Sequence, residues 1–458
     1  MMRHLPSILF ALLVQSGSAQ FYNWGWGPPI SVTQNGSTIS CTVWDPLLDQ
    51  SRTQSYSSVA EWSSVDGVVA TLSSSGVVRG IVYDIDLSQF RDDNFSFVSG
   101  TSVTNADGII AWVTGSGTVG AAIYNPATQQ WLDDTFSFSS GTSIINRHGV
   151  VSWVTGSGTV GAAVFDPGTQ QWMDDSFSFS SGTTMYNRDG VVAWVTGSGT
   201  VGAAIYDPSN GQWMDDSFSF SSGTTVVLED GVVAWRTGSG TIGAAAYNWN
   251  NDQWVDGSFS FNSENTALSI IDGTVHWTNN SGAQRQGFTG SNQWQSNANT
   301  AVRCIYYPEQ VGASGAPHIA YLWCLSIGAS SYSHACGDGH TITRRWAWKR
   351  YANPGTYQPQ LTVFSSTANS ACDGTLNFSG TGLNEATSAE LRISWTGNSI
   401  RLVAEEPIGV VRVMDARGSV VVAGRSRDTF MELPADLAPG VYLVHTADHG
   451  TRRLFVGD

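Results

Sequence analysis

The sequence predicts an all-β protein dominated by a β-propeller, and three observations carry that prediction. First, one unit is written four times between residues 101 and 264. Trp112, Trp153, Trp194 and Trp235 recur at a step of 41 residues, as do Tyr124, Phe165, Tyr206 and Tyr247, and Trp131, Trp172, Trp213 and Trp254. A fixed period of this size marks a repeat architecture. Second, apolar residues inside the unit alternate at period two, as in Phe218-Ser219-Phe220, with no helical stripe. Third, turn chemistry divides the unit into about four short strands, the content of one propeller blade of roughly 40–45 residues.

The turns can be placed one by one. Asp107-Gly108, Asp189-Gly190 and Asp230-Gly231 suit a hairpin turn that needs positive φ. Thr196-Gly197-Ser198-Gly199 closes the next hairpin. Asp166-Pro167 and Asp207-Pro208 put the fixed φ of proline at the start of a third turn. Weaker copies extend the array. Upstream, Gly67, Tyr83-Asp84, Asp92-Asp93 and Phe95-Ser96-Phe97 lie one period before their counterparts, and Trp44-Asp45-Pro46 lies 39 residues before Tyr83. Downstream, Asp272-Gly273, Trp277, Phe288 and Trp294 form a degraded copy. The aromatic that ends the third strand therefore occurs seven times, from Trp44 to Phe288. Seven blades within residues 20–300 are expected, with six as the alternative count and a β-solenoid as the competing architecture. The aromatic-Asp-Pro-x-Thr-x-x-Trp run from Phe165 to Trp172 resembles the third and fourth strands of a kelch blade.

Charge is unevenly spread. The 458 residues carry a formal charge of −16 with only 13% charged residues and a single lysine, Lys349. Residues 58–264 hold 21 acidic residues against five arginines, so the array accounts for the whole imbalance. That argues against nucleic acid and anionic membranes as partners and leaves cations, basic proteins and neutral glycans.

Residues 1–19 read as a secretory signal: Arg3, an apolar run from Leu5 to Val14, and small residues ending at Ala19. The run is too short to span a bilayer, and no other segment reaches that length. The expectation is an exported chain, secreted or on the outer cell surface after cleavage near Ala19, where disulfides are permitted. Five cysteines are candidates: Cys41, Cys304, Cys324, Cys336 and Cys372. A Cys41–Cys304 clasp would join the two ends of a closed ring. The alternative pairs cysteines within 304–372 and leaves Cys41 buried and free. Spacing does not choose between them.

Residues 301–366 read as a separate β domain. The turn Gly337-Asp338-Gly339, and the run from Tyr351 through Pro354-Gly355-Thr356-Tyr357 into Leu361-Thr362-Val363, resemble a PKD domain. That resemblance implies an immunoglobulin-like sandwich serving as a spacer or adhesion module. Residues 367–389, rich in Ser, Thr, Asn, Gly and Ala, read as a linker. From 390 to 458 the composition turns basic, with eight arginines. Val411-Arg412-Val413 with Asp415, Leu437-Ala438-Pro439-Gly440-Val441-Tyr442-Leu443-Val444 and the end Arg452-Arg453-Leu454-Phe455-Val456 closely resemble the type A C-terminal sorting domain of the type IX secretion system. The resemblance implies passage across the outer membrane by that machinery, then removal of the domain or attachment at the surface.

Two groups of residues have the pattern of chemistry. His334, Cys336, Asp338 and His340 crowd into seven positions like metal ligands. Strand alternation sends neighbours to opposite faces and no distant fourth ligand is evident, so a turn without metal is expected. The acid pairs Asp92-Asp93, Asp133-Asp134, Asp174-Asp175 and Asp215-Asp216 recur once per unit, reduced to Asp256-Gly257 in the fifth copy. Trp131 and Phe136 have opposite parity, and a bulge at the acid pair would return both to one core face. The pair would then sit exposed on a blade edge, as ligand for calcium or a cationic partner or as turn-forming acid. No complete calcium loop is present. Both tryptophan series are expected to fill the space between blades rather than to stack on sugars.

Near-identical copies place the same group at every equivalent point. A catalytic site needs different groups to converge, whereas a ring of like surfaces suits multivalent binding. The expectation is a non-catalytic extracellular binding or adhesion protein without catalytic residues or a required cofactor, with calcium as an ion the acid pairs could bind. A glycan or a protein would be the ligand. The alternatives are a polysaccharide-degrading enzyme built on the propeller mouth and a structural surface-layer or matrix protein.

Overall fold

A computed structural model describes residues 27–456, apart from 46–47, 49, 86, 223, 290–292, 312–317, 352–353, 379–390, 396–397, 405–407, 416–418, 427 and 447–449. The expected leader 1–19 lies outside the described residues. Every regular element among them is a β-strand. Residues 31–296 form seven antiparallel sheets in chain order: a three-stranded first sheet and six of four strands. These repeated four-stranded sheets are those of a β-propeller. In the fourth sheet the strands are Ser143–Arg147, Val150–Val154, Thr159–Asp166 and Gln171–Phe179, each hydrogen-bonded to the next.

The turns form as their residues require. His148 and Gly149 both have positive φ (51° and 75°), as do Asp189 and Gly190 (59° and 79°), which a two-residue hairpin turn needs. In the next turn Thr155 Oγ1 accepts a hydrogen bond from Thr159 N at 2.9 Å. In the third, Asp166 Oδ1 accepts one from Gly168 N at 2.9 Å.

The second and third strands of the interior sheets are buried on both faces. Trp153 explains the glycine opposite it: a Cβ on Gly161 would lie 2.4 Å from the indole. Successive sheets interlock through aromatics. Phe136 of the third sheet stacks on Trp153 of the fourth (5.6 Å, 9°) and tilts against Trp172 (5.7 Å). Trp172 Nε1 donates to Leu132 O of the third sheet at 3.2 Å. The same trio recurs as Phe95-Trp112-Trp131, Phe177-Trp194-Trp213 and Phe218-Trp235-Trp254.

This geometry corrects the parity argument. Trp131 faces the preceding sheet, against Phe95, and Phe136 faces the following one. Opposite parity is what the array needs, because both faces of an interior sheet are buried. A bulge exists, but its extra residue is Phe136; Asp133 and Asp134 stay in regular register with Ala122 and Ala121.

The two end sheets differ from the interior. The outward face of the first sheet carries Thr33, Ser40, Thr42, Thr53, Ser55 and the half-exposed Trp44. The seventh exposes Thr278 and Arg285. The first and seventh sheets share no strand among the described residues. Polar outer faces are what terminal repeats present to water.

Residues 306–378 form a sandwich. One sheet contains Tyr306–Val311, His318–Cys324 and Trp346–Tyr351; the other contains Thr341–Ile342, Ser331–Ala335, Gln360–Phe364 and Asn369–Asp373. The sandwich therefore runs past the expected boundary at 366. Residues 369–373, expected in a linker, are its edge strand, and Leu376–Phe378 pairs with Gly355–Tyr357. The rest of the expected linker, 379–389, lies outside the described residues. Cys304 and Cys372 form a disulfide that ties this edge strand to the chain entering the sandwich. The Cys41–Cys304 clasp is thereby excluded: Cys41 is buried between the first two sheets, and Cys41, Cys324 and Cys336 are free thiols.

The sandwich is not a detached spacer. Residues 23–45 and 50–382 make one compact unit. His318–Cys324 is buried on both faces. Ala320 and Leu322 point into the sandwich core, whereas Ile319, Tyr321 and Trp323 join the array core with Trp112, Trp153 and Trp194. A strand covered on both faces loses the polar alternation of a half-exposed one.

A second unit spans 383–458. Its described part is a three-stranded sheet (Arg392–Trp395, Ser399–Val403, Phe430–Pro434) and a four-stranded one (Val420–Ser426, Gly409–Met414, Gly440–Thr446, Gly450–Val456). Ile400, Leu402, Val411, Val413 and Val444 fill its core.

Candidate functional site

Two rows of acidic residues run across the array, and the same repeat generates both. The outer row is the set of acid pairs. Each pair lies in the fourth strand, at the free edge of its sheet, with both side chains exposed. This holds for Asp92-Asp93, Asp133-Asp134, Asp174-Asp175 and Asp215-Asp216, and for the single Asp256. The second acid turns back on its own chain: Asp134 Oδ1 accepts from Thr135 N at 2.7 Å and Asp175 Oδ1 from Ser176 N at 2.7 Å. Burial raises the carboxyl of Asp92 above the usual range against the pull of Arg79, whereas Asp133, Asp174 and Asp215 are raised by partial burial and then by a carboxylate of the preceding sheet. Asp93 acts on Asp133, Asp134 on Asp174, and Asp175 on Asp215. The row is thus one file of coupled like charges. Among the described residues only its first member has an arginine within ion-pair distance, with Arg79 Nε 3.8 Å from Asp92. No cluster of three or more potential ligands among the described residues is placed to hold a metal ion.

The inner row is the set of hairpin turns joining first and second strands: Asp66, Asp107, His148, Asp189, Asp230 and Asp272, all at positive φ. Here four successive side chains each cap the next turn. Asp107 Oδ2 accepts from His148 N (2.6 Å), His148 Nδ1 from Asp189 N (2.8 Å), Asp189 Oδ2 from Asp230 N (2.7 Å) and Asp230 Oδ2 from Gly273 N (3.2 Å). The sandwich then engages the row. Arg344 Nη2 meets Asp66 Oδ1 at 2.5 Å, Arg345 Nη1 meets Asp189 Oδ1 at 3.2 Å, and Ser366 N donates to Asp272 Oδ2 at 2.8 Å. Burial works against the Asp189 carboxylate, but Arg345 beside it outweighs burial and holds the group below the usual range. Among the described residues Asp230 has no such partner at ion-pair distance. Burial and then Asp189 push it up to about 6.

Between these turns and the sandwich lies a cavity of about 750 Å³, lined by Asp66, Asp107, His148 and Asp189 on one side and Tyr332, Arg344 and Phe364 on the other. A second cavity of about 510 Å³ shares Asp66, Asp107, Thr343, Arg344 and Trp346 with it. The sequence did not single out this mouth. Its one local signal is His148, which stands where the other five copies have aspartate.

The crowded His/Cys/Asp group separates. His334 is buried with Nε2 2.7 Å from Arg344 O, and burial lowers its pKa to about 4. Asp338 pairs with Lys349 Nζ at 2.7 Å and His340 Nδ1 at 3.1 Å. Burial pushes the Cys336 thiol up to about 12. Trp112, Trp153, Trp194 and Trp235 are each 1% exposed, so this series is core.

No family model matches the sequence, and no curated protein matches it. Solved structures with similar folds include Hsv2 of Kluyvelomyces marxianus (10% identity over 59% of this chain and 98% of that one, TM-score 0.26). Others are BamB of Moraxella catarrhalis (12%, 70% and 96%, TM-score 0.24) and PorZ of Porphyromonas gingivalis (10%, 94% and 82%, TM-score 0.16). PorZ is described as a bacterial surface component of the type IX secretion system. Similarity this low bears on neither ancestry nor activity.

Proposed function

We propose that the protein is an exported, non-catalytic binding or adhesion protein whose seven sheets serve as the blades of a multivalent propeller. The observation that supports this reading is the outer row: an exposed acid pair at the same place in four successive sheets. Four carboxylates of the row, Asp133, Asp174, Asp215 and Asp256, are raised by burial and by neighbouring carboxylates. Repeated weak contacts combine when their spacing matches a polymeric partner. A calcium ion bridging adjacent sheets, a cationic protein or a glycan would each relieve the crowding. The sandwich 306–378 is read as PKD-like, and residues 390–458 as a type IX sorting domain. The motif resemblance and the separate compact unit at 383–458 support that assignment.

The test is binding of the full chain to glycan and extracellular-matrix arrays, with calcium and with chelator. Retention on at least one array is expected, and loss when Asp133, Asp134, Asp174, Asp175, Asp215 and Asp216 are all changed to asparagine. Turnover of a polysaccharide by the purified protein would replace this reading with the enzymatic one. Self-assembly without ligand would replace it with the structural one.

A further inference from the structure

The mouth cavity differs from the outer row in being present once. Six hairpin turns are equivalent by repeat, but Thr343, Arg344 and Phe364 reach them from a domain that has no copy. That convergence of unlike groups is what the repeats alone do not provide.

The charges of the lining nearly cancel in pairs. Arg344 takes Asp66 and Arg345 takes Asp189. His148 accepts the Asp189 N–H at Nδ1, which leaves its proton on Nε2 and the ring neutral. Asp107 remains. One oxygen, Oδ2, caps the His148 N–H, and among the described residues no basic side chain stands within ion-pair distance of it. The lining therefore sets three carboxylates, Asp66, Asp107 and Asp189, against two guanidinium groups, Arg344 and Arg345, and Asp107 is the carboxylate without an ion pair of its own. Ser333 and Thr343 line the same cavity, as does Phe364, which is 37% exposed. A charge wants a cation, hydroxyls want a polyol, and an open aromatic face suits the apolar side of a sugar ring.

We propose that this cavity is a binding site for a small, hydroxyl-rich monocation, an amino sugar by class, with its ammonium donating to Asp107. The proposal is independent of the outer row. It places recognition of a single sugar unit beside, not within, the multivalent face.

Isothermal titration of the full chain with glucosamine, glucose and glucuronate tests it. Saturable binding of glucosamine is expected, at least about tenfold tighter than glucose, the cost of one charge-assisted hydrogen bond. Glucuronate is expected to give no binding. Asp107→Asn keeps an oxygen to cap His148 N and should stay folded while losing about ten- to one-hundredfold in glucosamine affinity. Thr343→Trp, which fills the cavity from an exposed position, should abolish binding. Equal affinity for glucosamine and glucose, no heat with glucosamine, or unchanged affinity in Asp107→Asn would each overturn the proposal. So would loss of glucosamine binding in the six-fold outer-row variant, which leaves the cavity untouched.

Discussion

The outer and inner rows of carboxylates come from the same repeat and have opposite fates. In the outer row the acids lie on exposed strand edges, and like charges face one another from sheet to sheet. In the inner row Asp107, Asp189 and Asp230 each cap a backbone N–H of the next sheet, and the sandwich pairs Arg344 with Asp66 and Arg345 with Asp189. Repetition multiplies a residue, but the environment decides what it does. An aspartate with a buried donor and a guanidinium is structural. The same aspartate at an edge is available.

Breaking the inner row should cost most. Asp189→Ala leaves the Arg345 guanidinium, 6% exposed, without its ion pair. A loss of about 3–5 kcal/mol is expected, since removing one partner strands a buried charge. Denaturant unfolding measures it, and a loss below 1 kcal/mol would show that the pair contributes little to stability.

The pH dependence sharpens the contrast. Asp230 is raised from 3.8 to about 6, so the folded chain holds its proton more tightly than the unfolded chain. Its contribution to stability is full below 3.8 and is lost as pH rises through about 6. Asp189 is depressed, so its contribution is present above the ordinary carboxylate range and is lost as pH falls through its folded pKa. The difference in unfolding free energy between the natural chain and Asp230→Asn should therefore slope across the window from 3.8 to 6. A flat difference there would mean that Asp230 is not perturbed.

The outer row should matter least to stability. Asp174→Asn with Asp175→Asn is expected to change it by no more than about 0.5 kcal/mol, upward because like charges are removed. Equilibrium unfolding checks this. A loss comparable to that of Asp189→Ala would erase the distinction between the rows.

Much of this was legible in the chain. The 41-residue step placed the aromatic trios, and Asp-Gly, Thr-Gly-Ser-Gly and Asp-Pro placed the turns, because each is a local consequence of backbone and side-chain chemistry. Trp131 and Phe136 were harder. Their parity conflicts only in a sheet with one core face, and the stacking on Phe95 and Trp153 shows that both faces are covered. The mouth cavity was not legible. Arg344 and Asp66 lie 278 positions apart, and no period links a unique sandwich to a repeated turn.

The sequence by itself determined the unit, its strands, its turns and its outer acid file, since period and alternation act over a few residues. Tertiary structure alone decided that the sandwich packs on the array instead of hanging from it, that Cys304 joins Cys372 and not Cys41, and that one of two acid rows is capped and paired. Those outcomes depend on which surfaces meet, and apolar burial between distant segments leaves no local signature beyond a strand, His318–Cys324, buried on both of its faces.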